Sequence, residues 1–318
     1  MTRIAAEVAA ALADRTAVVA LESTLLAHGL PPGRNRELAT RLEDTVRLAG
    51  AVPATVAVLD GSPVVGLSAA ELDRVCDPAA GMVKLSRRDL GPAVALHRDG
   101  ATTVAATAAL AAECGIAVFA TGGLGGVHRD AATSWDVSAD LDVLAGTPML
   151  VVCSGVKSVL DVGASLEALE TRSVPVLGYR TDRFPAFYLR ESEHPVPWRV
   201  DTPEQAAAVV VAHRGSVAGA AAVVLANPVP VEAEVPRAMH DRLLADGLAL
   251  LADRGVRGKD VTPALLADFQ RRSGGAGLRA NEALVLSNAG LAAEVAVVLT
   301  TAPSGRRPGG ADRIGRLR

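Results

Sequence analysis

Lysine is scarce in this sequence. Of its 32 lysine and arginine residues, only Lys84, Lys157 and Lys259 are lysines. Arginine stays protonated in proteins, whereas a lysine amine can lose its proton on burial and attack a carbonyl carbon. A lysine that is kept where arginine serves everywhere else is therefore a candidate for chemistry that needs an amine. Compositional drift that left three unimportant lysines is the alternative.

Lys157 has the context of a nucleophile. It follows the most apolar of the predicted strands, residues 149–153, after a short Ser154-Gly155 turn. Partial burial there would lower the pKa of the amine and make it more nucleophilic. A phosphate-binding cation, or a side chain that extends to solvent, is the alternative interpretation.

Lys84 ends another predicted strand. Arg87 and Arg88 follow it, and three cations at a strand end are typical of a phosphate clamp. The alternative is a solvated basic turn with Asp89 as its ionic partner. Lys259 lies between Gly258 and Asp260 and is predicted to be a loop residue.

Carboxylates at two places could also do chemistry. Glu22 ends a buried strand, where burial would raise its pKa and suit it to general acid catalysis, unless it caps a helix. Asp136, Ser138 and Asp140 alternate, so in an extended segment they point to one side. Such oxygen ligands suit Mg²⁺ or Mn²⁺, but a helix capped by Ser138 with acids in its first turn explains the pattern equally well.

A glycine-rich segment, residues 121–129, follows another predicted strand. It matches neither the dinucleotide pattern G-x-G-x-x-G nor the P-loop. Its backbone N–H groups could bind an anion, with His128 and Arg129 beside them. A tight turn that requires positive φ is the alternative, although four glycines in five residues exceed what one turn needs.

Short apolar runs alternate with helical stretches along most of the chain. The runs at residues 17–21, 55–59, 116–120, 149–153 and 221–226 each end in polar or glycine-rich residues. This alternation predicts a three-layer α/β/α fold with a mostly parallel central sheet, in one large domain over residues 1–302. In such folds ligands bind beyond the carboxyl ends of the strands, where the polar clusters lie. Residues 303–318 are predicted to be a disordered basic tail.

Composition excludes several classes of protein. The chain has 318 residues, of which 50% are hydrophobic and 21% charged, and a net charge of −3. It has enough apolar residues for a core and no overall positive charge, so a nucleic-acid partner is not expected. Three cysteines at unrelated spacings form no disulfide or zinc pattern. No signal peptide is evident, and the longest charge-free stretch, residues 215–231, is too short to span a membrane. We expect a cytoplasmic protein.

Taken together, the residues predict an α/β enzyme with an amine nucleophile, a carboxylic acid and an anion site. If Asp136 is a ligand, a divalent metal is also present. An amine beside a phosphate site favours a Schiff base with the open-chain aldehyde of a sugar phosphate.

Ten motifs, in this order along the chain, resemble the pseudouridine-5′-phosphate glycosidase family. The resemblance covers about residues 17–298, and the number and order of the motifs make chance unlikely as its cause. The motifs are ALEST (20–24), GAVPAT (50–55), KLSRRDL (84–90), GATTV (100–104), FATGGLGGVHR (119–129), DVSADL (136–141), GVKS (155–158), VLGY (176–179), ANP (226–228) and NEAL (281–284).

The resemblance implies an α/β/α homotrimer that cleaves pseudouridine 5′-phosphate to uracil and ribose 5-phosphate with the help of Mn²⁺ or another divalent ion such as Mg²⁺. It implies that Lys157 opens the ribose and holds C1′, that Glu22 donates a proton and that Asp136 binds the metal. The substrate contacts that it implies are Lys84, Val104, Ser138, Ala139, Asp140 and Asn281, with Thr121, His128 and Asn288 as further candidates.

The proposed nucleophile fits the chemistry of a C-glycoside. C1′ carries no heteroatom leaving group, so an imine at C1′ supplies the electron sink that bond cleavage needs, and arginine could not form it. Two other functions remain open. A Schiff-base lyase for another pentose phosphate would need Lys157 but no uracil pocket at Asn281, and a non-catalytic phosphosugar sensor would bind its ligand without an imine.

Overall fold

The computed structural model describes residues 1–256 and 261–301. Lys259 and the predicted tail at residues 303–318 lie outside the described residues. Within the described residues, the predicted fold class is confirmed: a mostly parallel sheet lies between helical layers.

Eleven strands form the main sheet, in the order β1-β4-β3-β2-β7-β9-β13-β11-β12, while β6 pairs with both β3 and β5. The six pairings from β3 through β2 to β12 are all parallel. Strands β8 and β10 form a separate antiparallel pair. The strands are β1 (Arg3–Ile4), β2 (Val18–Leu21), β3 (Val52–Leu59), β4 (Ser62–Val65), β5 (Val83–Leu85), β6 (Gly100–Thr102), β7 (Val118–Ala120), β8 (Val127–His128), β9 (Leu150–Cys153), β10 (Leu160–Asp161), β11 (Val176–Tyr179), β12 (Trp198–Val200) and β13 (Val223–Ala226).

The helices connect these strands and cover both faces of the sheet. The predicted alternation of helical stretches with apolar runs is confirmed. The helices are α1 (Ala6–Ala13), α2 (Thr24–His28), α3 (Arg34–Leu48), α4 (Ala69–Cys76), α5 (Leu90–Ala95), α6 (Val104–Glu113), α7 (Ala131–Ser134), α8 (Ala139–Ala145), α9 (Val162–Thr171), α10 (Pro203–Arg214), α11 (Arg237–Asp253), α12 (Val261–Arg272) and α13 (Ala276–Thr301).

The short central strands are buried on both faces, which explains why they are apolar without alternation. In β2, Val19 and Leu21 belong to one hydrophobic cluster, while Val18 and Ala20 belong to the other. Successive side chains of a strand point to opposite faces, so one four-residue strand contributes to two cores. The polar residue that follows each strand therefore lies at the edge of the sheet.

The sheet departs from the expected parallel pattern at β3. This strand begins at Val52, earlier than the apolar run predicts, and Asp60 and Gly61 turn it back into the antiparallel β4. Both turn residues have positive φ, 51° and 71°, as a two-residue hairpin turn requires. The prediction that the apolar run at residues 55–59 ends at these polar and glycine residues did not include the hairpin. Strand β6 is also antiparallel to β3.

Helix α13 is the central helix of one layer. By length and composition alone, this helix of the described chain could cross a membrane, but half of its most apolar window is buried within the fold. It packs against β2, β7 and β9 of the sheet and against α3 and α10. An ion pair between Arg34 and Glu282, with Nη2 and Oε2 2.7 Å apart, joins its first turns to α3. In this fold α13 is a core helix that carries polar residues towards the sheet edge.

Candidate active site

One cavity of about 460 Å³ lies at the carboxyl ends of the strands. Four residues predicted from sequence line it: Glu22 after β2, Lys84 in β5, Lys157 after β9 and Asn281 on α13. Since the strands are parallel here, residues far apart in the chain meet at one edge of the sheet. The predicted nucleophile Lys157, the proton donor Glu22 and the uracil contact Asn281 therefore lie in one cavity.

Glu22 is a part-buried carboxyl group held from one side by Thr121. The Thr121 hydroxyl donates a hydrogen bond to Glu22 Oε1, and Thr121 follows the neighbouring strand β7. Burial raises the pKa of Glu22, and this effect exceeds the opposing attraction of Lys157, the Thr121 hydrogen bond and the attraction of Lys84. A carboxyl group with a raised pKa keeps its proton closer to neutral pH, as general acid catalysis requires.

Lys157 reaches the cavity from a tight turn after β9. Gly155 has φ +81°, and a Cβ there would overlap the carbonyl oxygen of Pro185. Glycine is therefore required by both backbone conformation and space. The turn is fixed further on, because the Lys157 N–H donates to the carbonyl oxygen of Leu124 at 3.1 Å.

The glycine-rich segment is built for close packing. None of its four glycines has positive φ, so the tight-turn alternative is wrong. A Cβ on Gly123 would lie 2.7 Å from a ring carbon of Phe187, and Cβ atoms on Gly125 and Gly126 would overlap Ser138 and Ser165. The N–H groups of residues 124, 125 and 127 donate within the protein and are therefore not available to an anion. Anion binding stays a prediction for the N–H groups of Gly122 and Gly123, which line the cavity.

Ser138 and Asp140 have structural partners. Ser138 is the N-cap of α8, so the capping alternative is confirmed for this residue. Asp140 is buried; its Oδ1 accepts from the Ala105 N–H at 2.9 Å and its Oδ2 from the Gly125 N–H at 2.8 Å. It thereby joins the start of α6 to the glycine-rich segment. The residues that line the cavity do not include Val104, Ser138, Ala139 or Asp140, so their substrate contacts stay predictions.

Asp136 and His128 form a pair near the antiparallel β8–β10 ribbon. The Oδ2 of Asp136 is 3.6 Å from Nδ1 of His128, and the His128 N–H donates to the carbonyl oxygen of Asp136 at 3.0 Å. In the part of the chain that the structure describes, no group of three or more His, Cys, Asp or Glu side chains could hold a metal. Metal binding by Asp136 therefore stays a prediction.

The predicted phosphate clamp is smaller than expected. Arg87 and Arg88 are exposed in a one-turn 3₁₀ helix, and Nε of Arg88 is 3.7 Å from Oδ1 of Asp89. Neither arginine lines the cavity, and the Arg88–Asp89 pair agrees with the solvated-turn alternative. Lys84 alone of the three cations lines the cavity.

One side of the cavity is not predicted from the sequence. Helix α12 and the loop after α2 supply it, and Gln270 Nε2 donates to the Gly29 carbonyl oxygen at 2.9 Å across these two elements. We call the α12 side chains that line the cavity, Leu266, Ala267, Gln270 and Arg271, the helical wall. Only amphipathic spacing marks α12 in the sequence, and nothing in that spacing shows which cavity it covers.

The two asparagines of α13 have different surroundings. Asn281 is 2% exposed and lines the cavity, and its Oδ1 has no hydrogen-bond partner among the described residues. An unpaired buried acceptor is costly, so this oxygen is suited to a ligand donor. Asn288 is fully buried and away from the lining, with its amide bonded to protein groups. The expectation that Asn288 contacts substrate is therefore wrong.

The fold and these side chains define an α/β enzyme whose site combines a lysine amine with a carboxylic acid of raised pKa. Residues 7–298 match the family described as Indigoidine synthase A like protein, and the chain belongs to that family.

Relatives agree with the resemblance found in the sequence. The chain is 55% identical over 291 residues to the pseudouridine-5′-phosphate glycosidase of Salinispora tropica, covering 92% of this chain and 90% of that protein. It is 53% identical over 300 residues to the Streptomyces griseus protein of the same name, covering 94% and 92%.

Solved structures agree as well. The prealnumycin C-glycosynthase AlnA, in complex with ribulose 5-phosphate, has a TM-score of 0.87 at 41% identity, covering 94% of this chain and 97% of AlnA. An indigoidine synthase A (IdgA)-like protein from Thermotoga maritima has a TM-score of 0.83 at 37% identity, covering 90% and 94%.

Proposed function

We propose that this enzyme reversibly cleaves the C–C glycosidic bond of pseudouridine 5′-phosphate to uracil and ribose 5-phosphate. The observation that carries the proposal is the meeting of Glu22 and Lys157 in one cavity. Relatives above 50% identity named for this activity support the choice of substrate.

Lys157 supplies the nucleophile in this mechanism. Its Nζ forms a bond to C1′ as the C1′–O4′ bond breaks, and O4′ takes up a proton. The nitrogen then loses a proton, and its lone pair forms the C=N bond as the bond from C1′ to C5 of uracil breaks. The electron pair of that bond stays on C5, which takes up a proton. Water hydrolyses the imine, which releases ribose 5-phosphate and returns the amine.

Glu22 supplies a proton in these steps. Its raised pKa favours the protonated form, and its place beside Lys157 puts acid and nucleophile on one substrate. Thr121 acts through Glu22, because its hydroxyl donates a hydrogen bond to the carboxyl group.

The remaining cavity residues divide between the two ends of the substrate. The Asn281 Oδ1 accepts an N–H of uracil, which satisfies its unpaired acceptor. Lys84 binds the phosphate or a ribose oxygen. The substrate contacts that remain predicted on the resemblance alone are Val104, Ser138, Ala139, Asp140, Thr121 and His128.

Asp136 is the proposed ligand of a Mn²⁺ or Mg²⁺ ion. One carboxylate fits such an ion only if water and substrate supply most of its ligands, as is common for Mg²⁺. When bound, the ion would neutralise phosphate or developing charge.

A homotrimer and a cytoplasmic location are also proposed. Light scattering of the pure protein tests whether it is a homotrimer.

Incubation of the pure protein with pseudouridine 5′-phosphate and Mn²⁺ tests the activity. We expect release of uracil, and folded protein that releases none would overturn the proposal. Turnover of other aldose phosphates without uracil release would favour the other lyase.

Borohydride trapping tests the nucleophile. Ribose 5-phosphate with borohydride should add mass to the wild-type protein at Lys157 and not to Lys157→Ala, which should also lose turnover. An adduct on Lys84 would refute the assignment. Ligand binding that survives Lys157→Ala, with no adduct on the wild type, would favour a sensor.

A further inference from the structure

Asn288 occupies a central place behind the cavity. It lies on α13 seven residues, or about two turns, after Asn281, and its side chain is fully buried. The strands β2, β7, β9 and β13 are consecutive neighbours in space around it. The residue that follows each of the last three strands, Thr121, Ser154 and Asn227, is hydrogen bonded to Asn288.

Both polar atoms of the Asn288 side-chain amide form hydrogen bonds. Its Nδ2 donates to the Thr121 carbonyl oxygen at 2.8 Å and to the Ser154 hydroxyl at 3.1 Å. Its Oδ1 accepts from Asn227 Nδ2 at 3.0 Å. A fully buried amide with these partners has one orientation, because rotation would leave donors and acceptors unpaired.

Two of these partners lead directly to the reacting groups. Thr121 holds Glu22 through its hydroxyl, and Ser154 begins the turn that carries Lys157. The two loops also bond to each other, since the Ser154 N–H donates to the Gly122 carbonyl oxygen at 3.0 Å. Asn288 therefore joins the loop of the acid's partner to the loop of the nucleophile.

We propose that Asn288 is a positioning residue that sets the distance between Glu22 and Lys157. The inference rests on the proposed function, in which these two groups act on one substrate. Asn288 touches neither the cavity nor the substrate, so it affects the reaction through the geometry of other groups. A misplacement of about 1 Å can cost about 10²-fold in rate.

The variants Asn288→Asp and Asn288→Ala remove the donor to Thr121 and Ser154. We expect kcat for uracil release to fall about 30- to 100-fold in each, with KM changed less than about threefold. The rate of borohydride-trapped adduct formation with ribose 5-phosphate should fall with kcat. Ser287→Ala is the matched control, because Ser287 bonds Asn227 in the same network without contacting either loop; it should stay within about twofold of wild type.

The pH profile separates positioning from mere structural support. The Thr121 hydrogen bond lowers the pKa of Glu22, so loosening Thr121 should move the alkaline limb of kcat to higher pH. Lys157, Lys84 and Asp140 also act on Glu22 and stay unchanged. The same shift in Asn288→Ala and Asn288→Asp would show that the new carboxyl group is not its cause.

Several results would overturn the inference. One is a folded Asn288 variant whose kcat and alkaline limb equal those of the wild type. Another is a loss of kcat in Ser287→Ala as large as in the Asn288 variants. If the Asn288 variants do not fold, Ser154→Ala, which removes one of the two bonds from Nδ2, must slow adduct formation. Wild-type protein that releases no uracil would count against the proposed function, whereas the trapping rate with ribose 5-phosphate still tests Asn288.

Discussion

The two sides of the cavity are built differently. The strand-end floor consists of Glu22 and Lys157, which line the cavity, and of the buried Thr121 and Ser154, which support them. All four residues come shortly after neighbouring parallel strands. Hydrogen bonds tie its members to each other and to α13. The helical wall comes from α12, which packs against α11 and α13, and Gln270 joins it to the opposite loop.

This difference assigns different tasks to the two sides. Backbone ladders and buried side-chain bonds give the floor one geometry, which the proposed bond-making steps require. The wall contributes side chains from a helix that the sheet does not hold, so its contacts can vary with little effect on the floor. We expect changes in the floor to alter kcat and changes in the wall to alter KM.

The largest expected effect in this comparison is that of Glu22→Gln. The amide cannot donate the proton in question, so kcat should fall about 10²- to 10⁴-fold while ribose 5-phosphate binding persists. Uracil release and binding titration measure the two quantities. Glu43→Gln is the matched control, since burial also raises the pKa of Glu43 but this residue does not line the cavity. Equal losses in both variants would contradict the assignment.

The same substitution has an effect on stability. The pKa of Glu22 is raised above its ordinary value of 4.5 in the folded protein. The folded state therefore holds this proton more tightly, and stability present below pH 4.5 declines as the pH rises through the folded-state value. Glu22→Gln should have a higher Tm than wild type at neutral pH, and the gap should close on acidification. A gap that widens towards acid would contradict the direction of the shift.

Gly155→Ala should have the next largest effect. The new Cβ would overlap the Pro185 carbonyl oxygen and displace the turn that carries Lys157, so we expect about a 10²-fold loss of kcat. Gly115→Ala is the control: its φ of +83° is similar, but no atom lies within 4 Å of the new Cβ. It should lose stability by about 1–2 kcal/mol and retain kcat. Denaturant unfolding with steady-state kinetics compares the two variants.

Gln270→Leu should have a smaller effect, confined to KM. Loss of the hydrogen bond to Gly29 loosens the wall, so KM should rise about three- to tenfold with kcat within about twofold. Gln205→Leu removes a comparable amide bond, to the Asp201 N–H, away from the cavity and should change neither constant. A fall in kcat at Gln270 would show that floor and wall are not separable.

Arg88→Ala should have the smallest effect. Arg88 is exposed and pairs with Asp89, so kcat and KM should stay within about twofold of wild type. Lys84→Gln changes the one cation of the predicted phosphate clamp that lines the cavity, and it should raise KM for the phosphorylated substrate. Similar increases in KM for both variants would restore the larger phosphate clamp expected from sequence.

The floor could be predicted from sequence and the wall could not. Glu22 and Lys157 directly follow or closely succeed apolar runs, and parallel strands bring such residues to one edge. The contact between Gly29 and Gln270 joins positions 241 residues apart, and amphipathic spacing contains no information about such a partner. The packing roles of Gly123 and Gly125 could not be predicted either, because their close contacts with Phe187 and Ser138 depend on the tertiary structure.

Helix α13 has a consequence for how the chain folds. The Asn288–Thr121 bond spans 167 residues and the Arg34–Glu282 pair 248, so the layer that α13 completes depends on contacts between distant parts of the sequence. Contacts of large sequence separation must overcome loop-closure entropy before they stabilise the structure, which slows folding. We therefore expect refolding to be slow, and competence to form the ribose adduct to return only when α13 docks.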